Sequence, residues 1–344
     1  MSTTQAPAAT TDAAEEFLDR RTKAQQVQGI LHHYPWLSPA VVLVLSVIAF
    51  ASLNGNFATP NNLSLITQQV AVVGALAVGQ TIIILTAGID LSCGAIMVFA
   101  SMVMAKTAFD AGIPGWISIP LGLLVGALAG GFNGFLVTKV RLPPFIVTLG
   151  TLNIFGAFTL LYATGRTIRD TELANGLAWL GHTITIGQLN VTTGVLVMLV
   201  MYAVFAFVLK YTAWGRHVYA VGDDADSARL AGIQVTRVLM SVYVVAGILF
   251  AITGWILIGR VNAASPNSGI DANLDSITAV VIGGTSLFGG RGTVLGSLIG
   301  ALIVGVFRNG LTLAGLDVYY QTLAVGILVI LAVSVDQWIR RGRP

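Results

Sequence analysis

Charge is what this chain of 344 residues has least of. Asp, Glu, Lys and Arg make up 10% of it, against about 25% in ordinary soluble domains. So few ionic groups cannot cover a water-soluble body of this length, so lipid is the solvent for much of it. Cysteine is scarcer still. Cys93 stands alone, which excludes an internal disulfide and a cysteine-rich metal site, and it reads as a small packing residue. A phosphate-binding Gly-x-x-x-x-Gly-Lys-Ser/Thr loop is missing too. Of the four lysines only Lys106 precedes Ser or Thr, and Ala105 stands before it instead of Gly. The centres of the apolar stretches are nearly free of charge, and nothing in them looks like a proton relay or a sodium cage. No cluster of His, Asp and Glu falls there either. His32, His33, His182 and His217 lie in tails or loops, which argues against a membrane enzyme, and a solvated tail explains the His32-His33 pair better than a metal. Residues 1–36 lack the apolar core of a signal peptide. They read as a polar cytoplasmic tail with an amphipathic helix over 13–31.

Apolar residues, in contrast, make up 55% of the chain, and mean hydropathy is +0.83. About 20 apolar residues cross a bilayer as a helix. Ten stretches qualify, at 37–54, 65–87, 91–109, 116–137, 144–163, 191–209, 238–259, 275–288, 293–313 and 318–338. The expected fold is all-α, a polytopic transmembrane bundle of about ten helices over 37–338, with a short cytoplasmic tail at 339–344. The eighth stretch is short and runs into Gly283, Gly284, Gly289 and Gly290, so it either crosses or is broken and re-entrant. Placing the N-terminus inside leaves only Lys106, Arg166, Arg169, Arg260 and Arg308 of the 18 basic residues outside. That asymmetry puts both termini in the cytoplasm.

The 39 glycines are not scattered evenly. Gly122, Gly126, Gly130 and Gly134 form one four-residue ladder, and Gly292, Gly296 and Gly300 another. Each makes a face that admits close helix packing, within the chain or against a neighbour. Two glycine-rich inner corners, 86–94 and 283–292, loosely echo each other. The longest inner loop is 210–237. Asp223 or Asp224 can cap a helix start there, Ala225, Ala228 and Ala231 recur every three residues, and Gly232 suits a helix end. The spacing predicts a short helix with a small-residue face, either docked on a partner or merely solvated.

Four segments carry a family resemblance. They are Ile84-Leu-Thr-Ala-Gly-Ile-Asp-Leu-Ser-Cys-Gly94, Gly215-Arg-His-Val-Tyr-Ala-Val-Gly222 with Ala228-Arg-Leu-Ala-Gly-Ile233, the glycine-rich run from Ala279 to Gly296, and Asn309-Gly-Leu-Thr-Leu-Ala-Gly-Leu-Asp-Val-Tyr-Tyr-Gln321. In this order they resemble the permease subunits of ABC importers for monosaccharides of the ribose/xylose type, over about 60–340, with a type II importer fold. The resemblance implies a non-catalytic subunit that binds no cofactor and works as a homodimer. ATP and Mg would sit on separate cytoplasmic ATPase subunits, and a periplasmic sugar-binding protein would deliver the substrate. It implies that ATPase coupling falls to Asp224, Ala225, Asp226, Ser227, Ala228, Arg229, Leu230, Ala231, Gly232 and Ile233, where Asp226-Ser-Ala replaces the Glu-Ala-Ala of the broader importer motif. Docking of the binding protein is expected among Arg166, Arg169, Asp170, Glu172, Arg260, Asp271 and Asp275. The polar residues within spans, Gln68, Gln69, Gln80, Asn133 and Asn153, are candidates for the pathway or for bonds between helices. A sugar carrier or facilitator that needs no ATP is the alternative.

Overall fold

A computed structural model describes residues 37–169, 176–269 and 271–341. The expected N-terminal tail with its helix at 13–31, the docking candidates Asp170 and Glu172, and the last three residues lie outside the described residues. Twelve helices are present among those described: α1 (Leu37–Leu53), α2 (Pro60–Leu85), α3 (Cys93–Ala111), α4 (Gly115–Thr138), α5 (Pro144–Ala163), α6 (Thr193–Tyr211), α7 (Ala213–Asp223), α8 (Ala225–Leu230), α9 (Val235–Val261), α10 (Ala272–Ile282), α11 (Val294–Leu313) and α12 (Val318–Arg341). Two ribbons interrupt the all-α pattern. Strand β1 (Ile168–Arg169) pairs with β4 (Ala263–Ala264), and β2 (Thr183–Ile186) pairs with β3 (Leu189–Thr192), both antiparallel.

Seven helices, α2 to α6, α9 and α11, are long and apolar enough to cross a membrane. The chain is a polytopic helical membrane protein. At 1.5 Å per residue α1 reaches about 25 Å, whereas the 11 residues of α10 reach only about 16 Å, about half of a 30 Å hydrocarbon core. The eighth apolar stretch is thus a half-length helix. It stops at Gly283, and Gly284, Gly289, Gly290 and Gly292 then turn the chain with positive φ. Helix α2 starts five residues before the expected 65 because Pro60 opens its first turn. Its polar start is buried but satisfied: Asn62 and Asn309 of α11 exchange side-chain hydrogen bonds of 2.8 Å.

The centre of the bundle is α2 and α9, whose apolar windows are 83% and 72% buried, while those of α4 and α5 are only 33% and 28% buried. Both glycine ladders serve packing within the chain. A Cβ on Gly126 would lie 2.4 Å from the Gly247 carbonyl oxygen of α9, and one on Gly130 would lie 2.1 Å from that of Tyr243. On α11, a Cβ on Gly300 would lie 1.8 Å from the Ala279 oxygen of α10. Only glycine lets these backbones approach so closely.

Candidate functional site

The segment between α6 and α9 is more ordered than its reading as one loop with one short helix. Thr212 caps α7, its Oγ1 accepting from the Gly215 amide at 3.1 Å. Gly215, Val218, Val221 and Gly222 make the buried face of α7, and that three-and-four spacing was a legible helix signal. Two side chains pin α7 to the bundle. The Trp214 indole donates to Ser241 Oγ of α9 at 2.8 Å, and the Tyr219 hydroxyl donates to the Gly292 carbonyl at 2.8 Å.

Helix α8 follows at once. Asp224 is its cap, with Oδ1 accepting from the amides of Asp226 at 2.9 Å and Ser227 at 2.8 Å. The backbone bond from Ser227 does most to hold the Asp224 carboxyl below the usual carboxylate range; desolvation opposes it, and the Asp226 amide and the Ser227 hydroxyl add to the lowering. At the other end Gly232 takes φ 85°, and the Ile233 amide returns to the Ala228 oxygen at 3.0 Å. The helix has six residues and no small-residue face: Ala228 is buried, whereas Ala225 and Ala231 are exposed. Arg229 pairs with Asp226 at 3.1 Å on the surface. Leu230 is 90% exposed, a large apolar side chain next to Arg229.

This arm is seated on both glycine-rich corners. The Gly290 amide donates to the Leu85 carbonyl, the last of α2, at 3.0 Å. Gly222, the penultimate residue of α7, fits between them: a Cβ there would lie 1.7 Å from the Leu85 oxygen and 2.8 Å from the Gly290 nitrogen. A Cβ on Gly289 would lie 2.5 Å from the Gly222 oxygen. Three backbones therefore meet at Gly222, near the end of α7 and just before α8 begins.

Beyond this junction the first corner forms a buried polar knot. Asp90 Oδ1 accepts from the Ser92 amide at 2.7 Å and the Ser92 hydroxyl at 2.6 Å. Gln80 donates to the Asp90 carbonyl and to Cys93 Sγ. Asn133 of α4 donates to Ser92 Oγ at 2.8 Å, and Asn273 in the first turn of α10 donates to the Leu91 carbonyl at 3.0 Å. Of the pathway candidates, Gln80 and Asn133 are fully buried in this knot and tie α2, α4 and the corner together, which removes them from any open passage of this conformation. Gln68 and Gln69 are half-buried on α2. Asn153 is different. It sits at the middle of α5, exposed, its amide donating only to the Leu149 carbonyl one turn back at 3.1 Å. Nothing lies within 4 Å of a Cβ on Gly150 or Gly156 beside it.

At the opposite end of the bundle, Arg166, Arg169 and Arg260 gather around the β1–β4 ribbon and are exposed, as is Asp271 before α10. Arg166 lies 4.3 Å over the Phe109 ring. Asp275 departs from the expectation of an exposed loop charge. It lies in the first turn of α10, 4% exposed, with Arg308 Nη2 of α11 donating to its Oδ1 at 2.8 Å. A carboxylate so placed serves α10–α11 packing, because leaving it unpaired inside the bundle would be costly. Sequence reasoning missed this pair, since residues 33 apart carry no local sign of contact. Among the described residues no group of three or more His, Cys, Asp or Glu could hold a metal.

Residues 62–333 match the family described as branched-chain amino acid transport system / permease component. The chain is 50% identical to the fructose import permease protein of Rhizobium meliloti, over 96% of this chain and 93% of that one. It is 39% identical to the ribose import permease protein of Bacillus subtilis (94% and 98%) and 34% identical to the D-allose transport system permease protein of Escherichia coli K12 (87% and 91%). No solved structure matches the chain. The chain belongs to this family of transport-system permease components and, within it, is akin to ABC sugar import permeases.

Proposed function

We propose that this chain is the non-catalytic membrane-spanning subunit of an ATP-driven importer, passing a monosaccharide from a periplasmic binding protein across the bacterial inner membrane. Two copies form the passage, both termini face the cytoplasm, and ATP and Mg reside on separate ATPase subunits. Fructose is the first sugar to test, given the name of the relative that is 50% identical. The observation that carries the reading is the arm of α7 and α8, which offers exposed Leu230 outward and locks Gly222 against Leu85 and Gly290 inward.

Residues 224–233 are the lever in this reading. Closure of the ATPase pair pushes α8, and the side-chain-free junction passes the push to α2 and to the α10–α11 corner. Arg166, Arg169, Arg260 and Asp271, with Asp170 and Glu172, steer the binding protein to the opposite end. Such rim charges set encounter rate and register more than affinity. Asn153 faces the passage between the two copies, because an amide at the middle of a spanning helix is costly against lipid.

Reconstitution in liposomes tests the whole. With ATPase subunits, sugar-loaded binding protein and ATP, the chain accumulates fructose. Alone, it accumulates none. Leu230→Asp inserts normally, yet uptake falls at least about tenfold, as for a truncated apolar anchor at an interface. Accumulation by the chain alone would remove the importer reading in favour of a carrier. Full uptake by L230D would remove only the lever.

A further inference from the structure

Where α4 ends and α9 begins, at the end of the bundle that carries α8, a groove of about 350 Å³ opens between the two helices, lined by Lys139, Thr236, Arg237, Met240, Ser241, Val244 and Val245. Its chemistry is two-sided. Lys139 and Arg237 stand at the mouth, both exposed, and neither forms an ion pair among the described residues. Thr236 and Ser241 add hydroxyls. Met240, Val244 and Val245 continue along α9, each half-buried, and give an apolar wall. Because α4 and α9 are both membrane-spanning, the charged mouth sits at the helix ends and the wall runs toward the hydrocarbon.

We propose that this groove binds one anionic phospholipid, its phosphate between Lys139 and Arg237 and an acyl chain along Met240, Val244 and Val245. Three features support that occupant. Two cations without an ion-pair partner among the described residues complement a phosphodiester. A guanidinium beside an ammonium pairs a forked donor with a point charge, and both suit phosphate oxygens. The apolar wall suits acyl chains but not a free anion. The groove also touches the arm. Ser241, which lines it, accepts the hydrogen bond of Trp214 at 2.8 Å in the first turn of α7. A lipid seated there packs beside the base of the lever, so the lipid content of the membrane acts on the segment that moves.

Native mass spectrometry of the detergent-purified chain tests the site with phosphatidylglycerol, phosphatidylcholine of the same acyl chains, and glycerol 3-phosphate. Phosphatidylglycerol should be retained over phosphatidylcholine by roughly 30-fold in affinity, the ratio expected from two surface cations. Lys139→Gln with Arg237→Gln should bring the two lipids level. Val244→Trp keeps both charges but fills the groove and should lose phosphatidylglycerol as well, and Val244→Phe serves if the indole prevents folding. Lys210→Gln with Arg216→Gln, at the same end but outside the groove, should change nothing. Equal retention of both lipids, or unchanged retention in the Lys139/Arg237 double variant, overturns the proposal. Retention by a folded groove-filled variant points to diffuse charge and overturns it too. Displacement by glycerol 3-phosphate would make the site one for a soluble phosphate and overturn the lipid assignment.

Discussion

Single residues decide whether the arm can seat. Gly222 has no room for even a methyl group, since its Cβ would overlap the Leu85 oxygen at 1.7 Å, and the clashing atoms are backbone that cannot rotate away. Gly222→Ala should cost about 1–3 kcal/mol, as overpacking does, and lower the thermal midpoint in detergent. Gly150→Ala, with open space around it inside α5, should leave the midpoint unchanged or raise it slightly, as Ala favours a helix interior over Gly. Equal behaviour of the two variants would show that the three backbones do not meet as described. Which glycines matter was not legible along the chain. Gly150 and Gly222 look alike in sequence, and only contact with Leu85, 137 positions away, separates them.

Among the elements, α8 and α10 are the ones whose local sequence carries the most. Asp224→Ala removes the acceptor for the Asp226 and Ser227 amides. Amide hydrogen exchange over 225–231 should speed up, while Asp224→Asn should largely preserve protection. The pH dependence has a definite sign. The carboxyl titrates below its ordinary value in the folded arm, so its capping contribution is complete above the ordinary carboxylate range and is lost as pH falls through the lowered value. Protection of α8 should therefore be flat near neutrality and weaken only in acid. Loss of protection as pH rises from neutral would contradict the cap. Helix α10 depends on a longer link. Asp275→Ala leaves Arg308 without its anion and should destabilise by about 3 kcal/mol, the lower end for a broken buried pair because Arg308 is partly exposed. The double variant Asp275→Ala, Arg308→Gln should recover part of that loss in a thermal unfolding cycle, and additive losses would mean the two side chains do not interact. The shortness of α10 was visible in its run of glycines. Its buried charge pair was not, because a lone Asp near a helix start reads equally well as a solvated cap.

For the molecule as a whole, the question is which outer face meets lipid and which meets the second copy that the proposed importer requires. Helices α4 and α5 bury about a third or less of their apolar windows, so much of their surface meets lipid or another subunit. In the proposed reading, the strip of α5 with Asn153 between Gly150 and Gly156 faces the passage rather than lipid. In the full complex, Asn153→Cys should react with a membrane-impermeant maleimide, and Leu161→Cys, from an apolar position 74% exposed on the same helix, should not. Native Cys93 is fully buried and gives no background. Labelling of Leu161→Cys but not Asn153→Cys would place lipid, rather than the passage, against that strip.

The sequence by itself determined that this is a helical membrane protein, and roughly where each helix runs. Those properties follow from composition, from apolar lengths and from caps made by neighbouring residues, all local along the chain. The short helix α8 was legible for the same reason, since Asp224 and Gly232 act on residues a few positions away. Only the tertiary structure decided that Gln80 and Asn133 hold the first corner by hydrogen bonds, that Asp275 faces Arg308, and that Gly222 closes the joint between two distant corners. Each of those outcomes depends on which backbones come within van der Waals distance, and in a bundle solvated by lipid such proximity is set by the packing of whole helices rather than by any stretch of sequence.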